Sequence, residues 1–166
     1  MNIILKILFL LYPAAILLSP FFLYRKTYNW IMWFYRRMAS DERCRESYVM
    51  ALVAAVVFYN FIYYQLMGPS FWEFPGFIAG FVLLNNKFTF ATLGWLHDDR
   101  MLQQLLFALI LFSLIMPELF SFSVSLATVM LATLFYPSRK VMKVLAHPDD
   151  YPSFHGTNDE IYRLYY

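Results

Sequence analysis

The sequence predicts an all-α integral membrane protein: a small polytopic helical bundle of about five spans with an interfacial amphipathic helix. Three observations lead there. First, 61% of the residues are hydrophobic and only 14% are charged, against about 25% charged in a soluble domain. Second, a chain of 166 residues cannot hide that much apolar surface inside one core, whereas a bilayer solvates it. Third, the apolar residues fall in long runs, and the positive charge gathers in the polar breaks between them. We divide the chain into a transmembrane bundle over residues 1–136 and a cytoplasmic C-terminal tail over 137–166.

The first run, "IILKILFLLYPAAILLSPFFLY" at 3–24, is long enough to span. It ends in "FFLYRK" without the A-x-A-like site of a cleavable signal peptide, so a retained helix is expected. Pro13 and Pro20 should kink it, and a membrane tolerates that better than water does.

The stretch "YRKTYNWIMWFYRRMASDERCRESY" at 24–48 follows. It holds six of the 13 Lys and Arg residues. Basic and aromatic residues together can hold a single-stranded nucleic acid, but the net charge of +2 is low for a polyanion binder, and no nucleic-acid partner is expected. Trp30, Trp33, Phe34 and Arg37 recur at helical spacing. Tyr and Trp prefer the lipid–water boundary, and Lys and Arg prefer anionic headgroups. The expectation is an interfacial helix that contacts membrane lipids through Arg25, Lys26, Trp30, Trp33, Arg36 and Arg37. "SDERCRES" then reads as a polar loop with Ser40 as an N-cap.

A second run, 47–67, has small residues Ala51, Ala54 and Ala55 on one side, which suits close helix approach. Asn60 lies inside it. Residues 71–96 allow three readings: one weakly hydrophobic span, two half-helices, or a re-entrant loop. Gly76 and Gly80 form a small-xxx-small pair there, and Asn85, Asn86 and Lys87 interrupt the run. "HDDR" at 97–100 reads as a solvated turn, with Asp98 or Asp99 suited to a helix N-terminus. Residues 101–136 are apolar except for Pro117–Glu118. A single helix would hold Glu118 near mid-bilayer, at a cost of at least ~2.5 kcal/mol. A hairpin, 101–116 and 119–136, avoids that. Ser121, Ser123, Ser125, Thr128 and Thr133 bring hydroxyls into its second arm, where they can bond their own backbone or another helix.

Charge fixes the expected orientation. The positive-inside rule places Arg25–Arg45 and Arg139–Lys143 in the cytoplasm. An even number of crossings must therefore separate them. Residues 47–67, the hairpin and one further crossing by 71–96 satisfy that. The expected result is a multi-pass protein of a bacterial-type inner membrane, with five spans and a cytoplasmic tail.

Chemistry is sparse. Cys44 stands alone, so neither an intrachain disulfide nor a Cys-rich metal site is possible. His97, Asp98 and Asp99 are adjacent, and neighbouring side chains point apart rather than onto one ion. His147, Asp149, Asp150 and His155 have no defensible ligand spacing. No catalytic residue, metal or cofactor is assigned. A lysine inside a span is a functional candidate by default, so Asn60, Asn85, Asn86 and Lys87 are intramembrane polar candidates. In the last turn Ile161, Leu164 and Tyr165 share one helix face, which should dock on a partner or on this bundle beside the Trp30–Trp33 helix. The expected function is a non-enzymatic membrane subunit, a homo-oligomer or one bound to other membrane or cytosolic subunits. The alternative is a channel or transporter component with a polar path through an oligomer.

Overall fold

The computed structural model describes residues 3–24, 28–68, 74–146 and 157–165. They are all helical, with no strand among them. In chain order the helices are α1 (Ile3–Leu23), α2 (Asn29–Ser40), α3 (Glu42–Met67), α4 (Phe74–Leu83), α5 (Asn86–Asp98), α6 (Arg100–Ile115), α7 (Phe120–Phe135), α8 (Arg139–Ala146) and α9 (Asn158–Tyr165). Two runs, Glu42–Met67 and Pro117–Ala146, are long and apolar enough to cross a membrane. A third joins them if the bent pair α4–α5 counts as one. The chain thus has the character of a membrane protein.

Helix α7 is the centre of the bundle and touches α1, α3, α4, α5 and α6. Its hydroxyls explain how a polar-studded helix can be buried. Ser125, Thr128 and Thr133 each donate to the carbonyl four residues back, at 2.8–2.9 Å. Ser123 donates instead to the Ile110 carbonyl of α6 at 3.0 Å. These bonds satisfy the hydroxyls without water, as an apolar surrounding requires. Tyr48 of α3 donates to the Ala132 carbonyl at 2.9 Å, and Tyr12 of α1 bonds the Thr128 hydroxyl at 3.1 Å.

Pairings of this kind fix which helix ends lie together. Phe9 of α1 packs on Phe120 and Tyr63, so the start of α1, the end of α3 and the start of α7 share one end of the bundle. At the other end Tyr48 meets Ala132, His97 meets Thr133 and Asp98 meets Arg139. There the start of α3, the α5–α6 junction and the α7–α8 junction come together.

In α1 both prolines lie inside the helix. Pro20 has no N–H to offer the Ile16 carbonyl, and the Ser19 hydroxyl bonds that carbonyl instead, at 3.1 Å. Between α6 and α7 the chain turns through Pro117–Leu119. The two helices pack side by side as a hairpin, and Glu118 is exposed at the turn. A single helix over 101–136 is thereby excluded.

Three local expectations are corrected. "SDERCRES" is not a loop: α2 and α3 are separated by Asp41 alone, and "ERCRES" forms the first turns of α3. Asp41, not Ser40, is the N-cap, accepting from the Arg43 N–H at 3.0 Å. Ser40 turns back onto the Arg36 carbonyl at 2.9 Å. The alanine stripe is also largely open rather than closely packed, since Ala51 and Ala54 are exposed and Ala55 half-buried. Close approach to α3 is made from the other side, by glycines of α4. A Cβ at Gly76 would overlap the Asn60 amide oxygen, and one at Gly80 would stand 3.0 Å from a Val57 methyl.

Residues 71–96 hold two helices meeting at 105°. Asn85 makes the corner possible. Its side chain accepts from the Phe88 N–H at 3.3 Å and caps α5. Thr89, fully buried, donates back to the Leu83 carbonyl at 2.9 Å. Asp99 caps α6 in the same manner, at 2.8 Å from the Met101 N–H, as the acids of "HDDR" suggested.

One arginine of the basic stretch has a structural task that charge counting does not reveal. Arg45 reaches back from α3 and donates to the Met38 and Ala39 carbonyls at 3.1 and 3.2 Å. These belong to the last turn of α2, whose carbonyls have no intrahelical partner. Arg45→Ala is expected to lower stability in detergent by about 1 kcal/mol. Arg43→Ala, at an exposed position, should leave the melting curve unchanged.

Candidate functional site

Arg25 and Lys26 lie outside the described residues, as does the 147–155 cluster. The rest of the interfacial set lies on α2. Trp30 and Trp33 are 59% and 63% exposed, and Arg36 and Arg37 are exposed as well. The Arg37 guanidinium lies over the Trp33 ring, 5.5 Å from its centroid, and pairs with Asp41 at 3.5 Å. The opposite face of α2 is buried through Ile31, Met32, Tyr35, Met38 and Ala39. Phe34, on the expected outer face, is instead half-buried and packs inward.

Of the polar residues expected within the membrane, Asn60 lies apart from Asn85 and Lys87. Asn60 is 1% exposed, enclosed by α3, α4 and α7. Its amide donates to the Val56 carbonyl and the Ser125 hydroxyl, both at 2.8 Å. Its oxygen has no hydrogen-bond partner and lies against Gly76. Asn85 and Lys87 stand exposed at the α4–α5 corner. Asn86 is the first residue of α5.

Helix α9 starts with a capping box that sequence reading overlooked. The Glu160 carboxylate accepts from the Thr157 N–H at 3.2 Å, and the Glu160 N–H donates to the Thr157 hydroxyl at 3.4 Å. The signal was present as T-x-x-E at 157–160. The helix lies against α2 and α8. Ile161 is 1% exposed and joins Ile31, Met32, Tyr35, Ala39 and Val141 in one apolar cluster, with Leu164 half-buried beside it. Tyr165 is the last residue of the helix. The Leu164 carbonyl accepts from the Ser138 hydroxyl at 2.7 Å, which ties the end of α9 to the start of α8. Within this single chain α9 rests on α2 and α8.

The main site missed by sequence reading is a recess of about 400 Å³ at the end of the bundle shared by the α5–α6 and α7–α8 junctions. Arg100 of α6, Lys140 of α8 and Arg163 of α9 line it, with Tyr24, His97 and Gln103. His97 is oriented by its Nδ1–H, which donates to the Thr133 carbonyl at 2.9 Å. Gln103 donates to the Leu96 and His97 carbonyls at 2.8 and 3.0 Å, closing the end of α5. The carboxylate that lines the recess, Asp98, is bound by Arg139 at 2.6 Å. Among the described residues no ion pair reaches Arg100, Lys140 or Arg163. The three lie tens of residues apart in sequence, so no local motif announces them.

A second space, an apolar groove of about 330 Å³, runs between α1, α2, α3 and α7. Leu23, Trp30, Phe34, Leu131 and Phe135 form much of its wall. No family model, curated protein or solved structure matches the chain. The chemistry of the site therefore rests on its own residues. Those of the recess are suited to holding an anion by charge-assisted hydrogen bonds. Among the described residues no group of three His, Cys, Asp or Glu side chains is placed to hold a metal ion.

Proposed function

We propose that this chain is a non-enzymatic subunit of an inner-membrane complex, assembling in the bilayer with itself or with other subunits. It crosses five times, through α1, α3, α4, α6 and α7, with the N-terminus outside and α8 and α9 in the cytoplasm. The grouping of helix ends supports this topology, because α2, the start of α3, the α5–α6 junction and α8 all gather at one end. The basic residues of 36–45 and 139–143 thus lie on one side, in keeping with the positive-inside rule.

The observation that carries the assembly reading is helix length. Helix α6 has 16 residues, and α4 runs over Phe74–Leu83 before the chain bends into α5. At 1.5 Å per residue α6 extends about 24 Å, against a hydrocarbon core of about 30 Å. Short spans are accommodated by thinning the bilayer or by associating with neighbours. Both helices carry apolar residues on their outward faces, among them Ile78, Phe81, Leu105 and Phe112, which a neighbouring subunit can cover. The transport alternative has less support, since Asn60 is enclosed while Asn85 and Lys87 stand outside.

Two experiments test this reading. In a Cys44→Ser background, Glu118→Cys should react with a membrane-impermeant maleimide in spheroplasts, and Arg43→Cys only after permeabilisation. Equal reaction at both would overturn the five-span topology. The mass of the complex extracted in mild detergent should exceed that of one 19.8 kDa chain, with a fixed stoichiometry. A monodisperse single chain would overturn assembly.

A further inference from the structure

We propose that the recess lined by Arg100, Lys140 and Arg163 binds a phosphate-bearing anion, and that this anion is the headgroup of an acidic phospholipid. The charge balance carries the first part. Three cations from three separate helices face a space whose one carboxylate among the described lining residues, Asp98, is already bound by Arg139 at 2.6 Å. A phosphate diester offers several acceptor oxygens and a full negative charge, which suits two guanidinium forks and an ammonium. The volume of about 400 Å³ falls within the range of about 300–1,000 Å³ usual for small-ligand sites.

Position carries the second part. The recess lies where α1 and α7 end, and basic pockets between membrane helices on the cytoplasmic side suit acidic headgroups. Leu23 and Phe135 line the apolar groove, and the adjacent Tyr24 and Leu134 line the recess. The same two helix ends therefore border one space fit for a charged group and one fit for hydrocarbon. The lipid source rests on the membrane reading given above, whereas the phosphate chemistry does not. Because Lys140 and Arg163 belong to α8 and α9, a bound anion also fastens the tail to the bundle through Arg100 of α6.

The test uses the full chain purified in a neutral detergent. Native mass spectrometry counts retained lipid, and thermal unfolding is followed with phosphatidylglycerol, phosphatidylcholine or inorganic phosphate. One phosphatidylglycerol per chain should be retained and should raise the melting temperature, while phosphatidylcholine does neither. The triple variant Arg100→Gln/Lys140→Gln/Arg163→Gln should bind about tenfold more weakly or worse. Lys87→Gln, at the distant corner, should bind as the parent does. If the triple variant does not fold, Lys140→Gln alone should still weaken binding several-fold. Stabilisation by inorganic phosphate with no preference between the two lipids would overturn the lipid source and keep the phosphate site. Binding of phosphatidylglycerol unchanged in the folded variants would overturn the site itself. A chain that stays monodisperse without detergent would instead overturn the membrane reading, and the inorganic phosphate measurement would still decide the site.

Discussion

Gly76→Ala is expected to destabilise the bundle far more than Gly80→Ala, though both glycines lie one turn apart on α4. At Gly80 a new Cβ would stand 3.0 Å from the Val57 Cγ2 methyl, the end of a side chain that can shift by a few tenths of an ångström. At Gly76 it would overlap the Asn60 amide oxygen and crowd its carbonyl carbon at 2.9 Å. The amide cannot simply swing aside. Its nitrogen is held at 2.8 Å by both the Val56 carbonyl and the Ser125 hydroxyl, and moving it breaks bonds in an interior with no water to replace them. Overpacking of this kind costs about 1–3 kcal/mol, partly offset by the better helix propensity of alanine, and Gly76→Leu should prevent assembly of α4 on α3. Gly80→Ala should stay below about 1 kcal/mol. The decisive measurement is a double-mutant cycle in detergent: Asn60→Ala should recover much of the loss in Gly76→Ala, a coupling of about 1 kcal/mol or more. Equal effects at the two glycines, or no coupling, would show that this contact does not set the spacing of α3 and α4.

How far such a contact was legible in the sequence depends on its range. The apolar cores of α1, α3, α6 and α7 were, because apolar runs and polar breaks are local, whereas the bend between α4 and α5 was left open and α8 was not foreseen. The start of α6 at Asp99 and the hairpin turn at Pro117–Glu118 were readable from residues that stand next to one another. The Gly76–Gly80 pair was recognisable as a place of close approach, but its partner was not. The sequence favoured the alanines of α3, whereas the structure uses Val56, Val57 and Asn60. A stripe of small residues says only that a helix can be approached, and the neighbour's surface decides where.

The α2–α3 boundary was misread for a related reason. Polar "ERCRES" looks like a loop when polarity alone is weighed, yet Asp41 caps the helix and Arg45 folds back onto the end of α2. Charged side chains were serving helix ends there, a role that composition does not distinguish from solvation. The recess was invisible for the strongest reason. Arg100, Lys140 and Arg163 become neighbours only after α6, α8 and α9 have packed.

Ile161→Asp is expected to release α9 and cost ~3 kcal/mol or more, the second of the two largest effects. Ile161 is 1% exposed, in contact with the buried face of α2 and with Val141 of α8. Truncating such a side chain to alanine costs about 2–5 kcal/mol. A carboxylate in its place would also have to shed its water among the apolar side chains of Ile31, Met32, Ala39 and Val141, so the helix should leave its seat rather than bury the charge. Undocking takes the Leu164 carbonyl away from Ser138 and uncovers the apolar side of α2, whose other side already exposes Trp30 and Trp33. The variant should melt earlier in detergent and be cut by protease within 139–157 at dilutions that leave the parent intact. Deleting 157–166 should reproduce both effects, whereas Lys143→Gln, on the exposed side of α8, should reproduce neither. If the deletion melts with the parent and instead loses a copurifying protein, the apolar face of α9 serves a partner. Its seat on α2 is then the place the helix occupies while that partner is absent.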